Sequence, residues 1–162
     1  MRLALLLSIA VVGAATMEAD DTSTPSIEGT YTLVSRDLPN GTKLTAPDVA
    51  GWLTFTKDHR FFDLYSTDSQ GRRFSSSYVA SYRLTPTQYT ETSLYFMLND
   101  EISGGGAVYD LSRHTGSAAV SLKDGRLELQ LPLNGEPKLV FSGAGITASQ
   151  EGSFVDHWEK LP

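Results

Sequence analysis

From Ile27 onward the chain alternates apolar and polar residues in short runs, and turn residues break these runs at spacings of about ten positions. No later window keeps a helical apolar period. "RLELQLP" shows the pattern best: Leu127, Leu129 and Leu131 fall on one face, Glu128 and Gln130 on the other. A strand with one dry and one wet face belongs to an antiparallel sheet over a core. The pattern predicts strands at Gly29–Ser35, Gly51–Thr56, Arg60–Ser66, Ser77–Thr85 and Gln88–Leu98. It continues with Gly106–Ser112, Gly116–Lys123, Arg126–Pro132, Pro137–Gly143 and Ser153–Leu161.

The connections read as hairpins. Lys57-Asp58-His59, Thr85-Pro86-Thr87, Asp124-Gly125 and Asn134-Gly135 are compact reversals, because Asn and Asp tolerate a positive φ and Gly accepts it freely. "TDSQGRRFSS" reads as a longer polar loop at an open end, and "NDEISGGG" as a mobile loop. "AGITASQEG" is expected to carry one helical turn. Serial hairpins leave two unpaired edges unless the sheet closes. The expected fold is all-β: an antiparallel up-and-down β-barrel of about 8–10 strands. A β-sandwich is the competing architecture.

The first residues follow a different rule. Arg2 precedes an apolar run from Leu3 to Val12, then the small residues Gly13, Ala14 and Ala15. That order is expected of a signal peptide over residues 1–15, and the run is shorter than the roughly 18 residues a spanning helix needs. Residues 16–26 form a polar, acidic lead-in, and one domain covers 27–162. The expected location is secreted or periplasmic, with no membrane span in the mature chain.

Composition narrows the partners. The 162 residues carry a net charge of −6, which gives nucleic acid nothing to bind. There is no cysteine, so thiol nucleophiles and Cys-based zinc sites are excluded and the domain must rest on its core. No metal and no cofactor is expected.

Several segments resemble a bacterial lipocalin-like domain of the calycin type. "IEGTYTLVS" is similar to that family's opening strand, where Gly-x-Trp starts the barrel, although here the aromatic is Tyr31. "GWLTFTKDHRFF" is similar to its second hairpin, with His59 where Gly is usual. "SSYVASYRLT", "GRLELQLP" and the closing "DHWEKL" are similar to later strands. The resemblance implies a barrel that binds small hydrophobic molecules. It also implies that Tyr31 plugs the closed end beneath a basic residue, either Lys160 or Arg126.

Catalytic signals are sparse. His59, His114 and His157 show no ligand spacing, and there is no Gly-x-Ser-x-Gly elbow. His114, beside Arg113, is the one candidate for acid–base work. Gly104-Gly105-Gly106 lacks the Lys-Ser/Thr that a phosphate loop needs. Arg72-Arg73 is a candidate greeting for an anionic ligand at the mouth. The inward candidates for a ligand are Leu53, Phe55, Phe62, Leu64, Tyr82, Tyr95, Met97 and Tyr109, which combine apolar area with hydroxyls and an adaptable thioether. The expected partner is a small hydrophobic or amphipathic molecule. The rivals are an isomerase or hydrolase at the barrel mouth, and an interaction protein with a filled core.

Overall fold

A computed structural model describes residues 26–143 and 145–162. The expected leader, and the expected lead-in apart from Ser26, lie outside the described residues. The described chain has twelve strands: β1 (Gly29–Asp37), β2 (Lys43–Leu44), β3 (Val49–Phe55), β4 (His59–Thr67), β5 (Arg73–Leu84), β6 (Gln88–Asp100), β7 (Gly106–Asp110), β8 (Thr115–Lys123), β9 (Arg126–Gln130), β10 (Lys138–Ser142), β11 (Gly145–Gln150) and β12 (Phe154–Lys160).

Each strand pairs antiparallel with its neighbour, and β12 returns to pair with β1, from Tyr31 opposite Lys160 to Asp37 opposite Val155. Closure removes the exposed edges that serial hairpins otherwise leave. The ring runs β1-β3-β4-β5-β6-β8-β9-β10-β11-β12, which makes ten strands. This is the expected all-β, up-and-down barrel, and it is compatible with a calycin-type fold. The sandwich does not occur.

Two segments differ from expectation. "AGITASQEG" supplies a strand, β11, rather than a helical turn; Ile146 and Ala148 face the core opposite Trp158 and Asp156. Its apolar residues are small and few, so its alternation is faint until its neighbours are known. Arg73–Ser76, expected in a polar loop, extends β5 and pairs with β4. Phe74 and Ser76 line the interior there, and only Asp68–Arg72 is left as loop.

The lower half of the barrel is packed solid. Tyr31, Phe55, Tyr82, Tyr89, Leu127 and Phe141 are buried there, with Phe55 set edge-on to both Tyr82 and Phe141. Ile27 closes the floor, and its carbonyl accepts a hydrogen bond from the Tyr31 hydroxyl at 3.1 Å. The Lys160 ammonium stands 5.8 Å from the Tyr31 ring centre, within reach of a cation–π contact. Of the two basic candidates, Lys160 therefore covers Tyr31. Arg126 is exposed at the β8–β9 turn.

Two bulges reset the inward phase, because one extra residue sends every later side chain to the other face. On β1 the register slips between Leu33 and Ser35. Leu33 faces Trp158, and Arg36 then comes opposite Asp156 and also points inward. On β6 the slip falls at Leu94: Val79 pairs with Tyr95, but Ala80 pairs with Ser93. Tyr89, Glu91 and Ser93 face in before it, Phe96 and Leu98 after it.

Candidate ligand cavity

Above the packed floor the interior is open. A cavity of about 320 Å³ is walled by Leu53, Phe62 and Leu64 from β3 and β4, and by Phe74, Phe96 and Leu98 from β5 and β6. Leu139, Ala148, Phe154 and Trp158 complete the far side. Its volume lies at the small end of ligand sites. At the roughly 30 Å³ that a water occupies in the liquid, it holds about ten heavy atoms.

Gly51 permits the Trp158 position. A Cβ there would lie 2.9 Å from Trp158 Cη2 and 2.9 Å from the Asp63 carbonyl oxygen. The bare backbone lets the indole lie against β3, where it also packs at 6.1 Å from Phe62.

Charged groups are buried at the cavity's base and side. Arg60 is 1% exposed and Glu91 0%. The Arg60 guanidinium lies 3.1 Å from Glu91 through Nε and donates from Nη2 to both Glu136 oxygens at 2.8 Å. Tyr78 and Tyr89 donate their hydroxyls to Glu91 at 3.0 and 2.6 Å, and the guanidinium rests 4.4 Å above the Tyr78 ring. Burial opposes the Arg60 charge, but Glu136 and Glu91 more than offset it and hold the group charged above its ordinary value. Burial pushes the Glu136 carboxyl up, with Arg60 pulling it back. Burial likewise raises both tyrosine hydroxyls.

A second pair sits higher. Arg36 grips Asp156 with Nε and Nη2 at 2.6 and 2.8 Å and stacks 4.1 Å over Phe154. Burial raises the Asp156 carboxyl, while Arg36 lowers it. This two-pronged geometry fixes the guanidinium in the wall.

The hairpin between β9 and β10 forms part of the cavity wall. Asn134 and Gly135 both have positive φ, 55° and 62°, so the reversal is tight. Asn134, Gly135, Glu136 and Pro137 all face the cavity. The start of this hairpin packs on β8, where a Cβ on Gly116 would lie 2.8 Å from Leu133 and 2.9 Å from Pro132. Here β7 pairs with β6 and makes no ladder with β9, so the hairpin covers a stretch of wall without interstrand bonding.

The expected ligand-facing residues separate into three groups. Leu53, Phe62 and Leu64 line the cavity. Phe55 and Tyr82 face inward but belong to the packed floor, where the Tyr82 hydroxyl is bonded to the Thr56 carbonyl. The inward expectation fails for Tyr95, Met97 and Tyr109. The Leu94 bulge sends Phe96 and Leu98 inward in place of Tyr95 and Met97. Tyr109, on β7 opposite Met97 of β6, is 66% exposed.

His114 lies outside the cavity wall, with its side chain 65% exposed and 3.8 Å from Asp110. Arg72 and Arg73 are matched with Asp68 and Glu101 at the rim rather than aimed at the cavity. Among the described residues no group of three His, Cys, Asp or Glu side chains could hold a metal.

The charged interior lies outside the sequence expectations, although part of it leaves a trace in the strand phase. Arg60 shares the phase of Phe62 and Leu64, Glu91 that of Tyr89, and Asp156 that of Trp158. A charge on the dry phase of a strand signals a buried pair. Arg36 leaves no such trace, because a bulge reverses its face. Compared with protein-family models, curated proteins and solved structures, the chain matches none.

Proposed function

We propose that this protein is an exported, lipocalin-like binding barrel that holds one small hydrophobic or amphipathic molecule in its upper cavity. The observation that carries this reading is the cavity itself: about 320 Å³ of unfilled space, walled mainly by Leu and aromatic side chains, directly above a solid floor. Ligand sites combine apolar walls with a few fixed polar groups, and here Arg36–Asp156 and Arg60–Glu136 supply them. Export rests on the Leu3–Val12 run and the small residues after it.

Native mass spectrometry of protein purified gently from an exported fraction tests the reading. The expected result is a retained molecule of about ten heavy atoms, one per chain. A second readout is Trp158 fluorescence in a Trp52→Phe background, since Trp52 is 54% exposed on the outer face. A bare mass, together with no Trp158 response to octan-1-ol, octanoate or octylamine, rejects the proposal.

A further inference from the structure

Glu136 holds an unusual place for a residue of a tight surface hairpin. Its carboxylate leaves the turn, crosses the cavity wall and bonds through both oxygens to the most buried arginine of the barrel. Glu91 cannot make the same movement, because it is fixed within β6 by two tyrosine hydroxyls. Of the two carboxylates on Arg60, one is therefore permanent and the other is carried on a hairpin.

That hairpin also lies between two spaces. Gly135, Glu136, Gln150 and Phe154 line the inner cavity on one side. On the other they line an open groove of about 710 Å³, whose lining also includes Asp37 and Lys138. A molecule moving from the groove to the cavity must displace this partition. From within, the pair of bonds from Arg60 holds its tip, and Leu131, 4% exposed, anchors its base in the core.

We infer that Glu136 is a built-in stand-in for a ligand carboxylate: a small monocarboxylate with a short apolar tail enters past the 131–137 hairpin, takes the place of Glu136 on Arg60, and lays its tail along Phe62, Phe96 and Leu98. The exchange conserves charge. Arg60 has two carboxylate partners before and after, and Glu136 gains water at the groove. An alcohol or an amine cannot make this exchange, since neither offers two acceptor oxygens to the guanidinium. A tail of about seven carbons plus a carboxylate matches the ten-atom capacity of the cavity. This inference rests on the binding reading above and specifies its ligand class.

The test compares octanoate, octan-1-ol and octylamine by Trp158 fluorescence and by calorimetry, in the Trp52→Phe chain with Glu136 intact, Glu136→Gln or Glu136→Ala. Removing the internal competitor raises the competent fraction of the site, so octanoate should tighten about tenfold in both variants while octan-1-ol changes less than about threefold. Equal tightening of the alcohol means that the hairpin is only a steric cover and overturns the inference. Unchanged or weaker octanoate binding overturns it too, as does a preference for octylamine. Binding of octan-1-ol without preference for octanoate leaves the binding reading standing and removes the carboxylate exchange. Silence from all three probes removes both.

Discussion

Arg60→Met is the most informative single change in the barrel. Methionine keeps much of the volume and removes the charge. Arg60 is 1% exposed, Glu91 0%, and the Glu136 side chain 15%. The substitution strands one carboxylate deep in the core and a second at the cavity wall. Breaking a buried ion pair by removing one partner costs about 3–5 kcal/mol, because an uncompensated charge remains. At a urea slope near 2 kcal/mol per molar, the midpoint should fall by about 1.5–2.5 M. Urea unfolding followed by Trp fluorescence reads this directly.

The same experiment has a pH arm. Burial raises the Glu136 carboxyl and Arg60 holds it down, so loss of Arg60 lets it rise further. A group whose folded value lies above its unfolded value contributes stability that is present below the unfolded value, about 4.3 for Glu, and lost as pH rises through the folded one. The Arg60→Met deficit should therefore be smaller at pH 5 than at pH 8. Neutralising the stranded carboxylates in Arg60→Met/Glu91→Gln/Glu136→Gln should recover all but about 1–2 kcal/mol. A deficit below about 1 kcal/mol at pH 8 would refute the idea that the pairing supports the fold. An equal deficit at both pH values would show that lost packing, not stranded charge, sets the cost.

The remaining predictions address other parts of the barrel. Gly51→Ala should cost about 1–3 kcal/mol in urea unfolding and shift Trp158 emission, because the new Cβ meets both the Asp63 carbonyl and the indole at 2.9 Å. The bulge at Leu94 predicts opposite outcomes for neighbours across the β6–β7 pair: Phe96→Ala should cost about 2 kcal/mol or more, and Tyr109→Ala less than about 0.5. In alkali, burial raises Tyr31, Tyr78, Tyr82 and Tyr89, with Tyr82 pushed up to about 12. The folded chain keeps these protons while the unfolded chain releases them near pH 10, so stability should be intact below about pH 10 and fall as pH rises above it. Absorbance at 295 nm should show a large part of the phenolate signal appearing only with unfolding; full ionisation of a still-folded chain near pH 10 contradicts the burial argument.

Much of the barrel is legible in the residues because strand alternation has a period of two. Leu53 and Phe55 on β3, Phe62 and Leu64 on β4, and Leu127 and Leu129 on β9 all keep the phase that their spacing predicts. The turn at Asn134-Gly135 is legible for a similar reason, since both residues accept the positive φ that the reversal demands. Local residue patterns thus specify an all-β chain of short antiparallel strands joined by hairpins, with most of the inner face of those strands.

The remaining features depend on contacts between distant parts of the chain. Closure depends on β12 meeting β1 across more than a hundred residues, and no local pattern carries that pairing. A bulge adds one residue at no cost to composition, yet the one on β6 exchanges Tyr95 and Met97 for Phe96 and Leu98, and the one on β1 turns Arg36 inward. β11 reads as a strand only when Trp158 and Asp156 lie across from it. The space above the floor is a small difference between large packed volumes, which a list of side chains does not contain. Glu136 looks like any polar residue of a hairpin until Arg60, far away in the chain, is found in contact with it. Local periodicity is a property of neighbours in sequence; volume, closure and ion pairing are properties of neighbours in space.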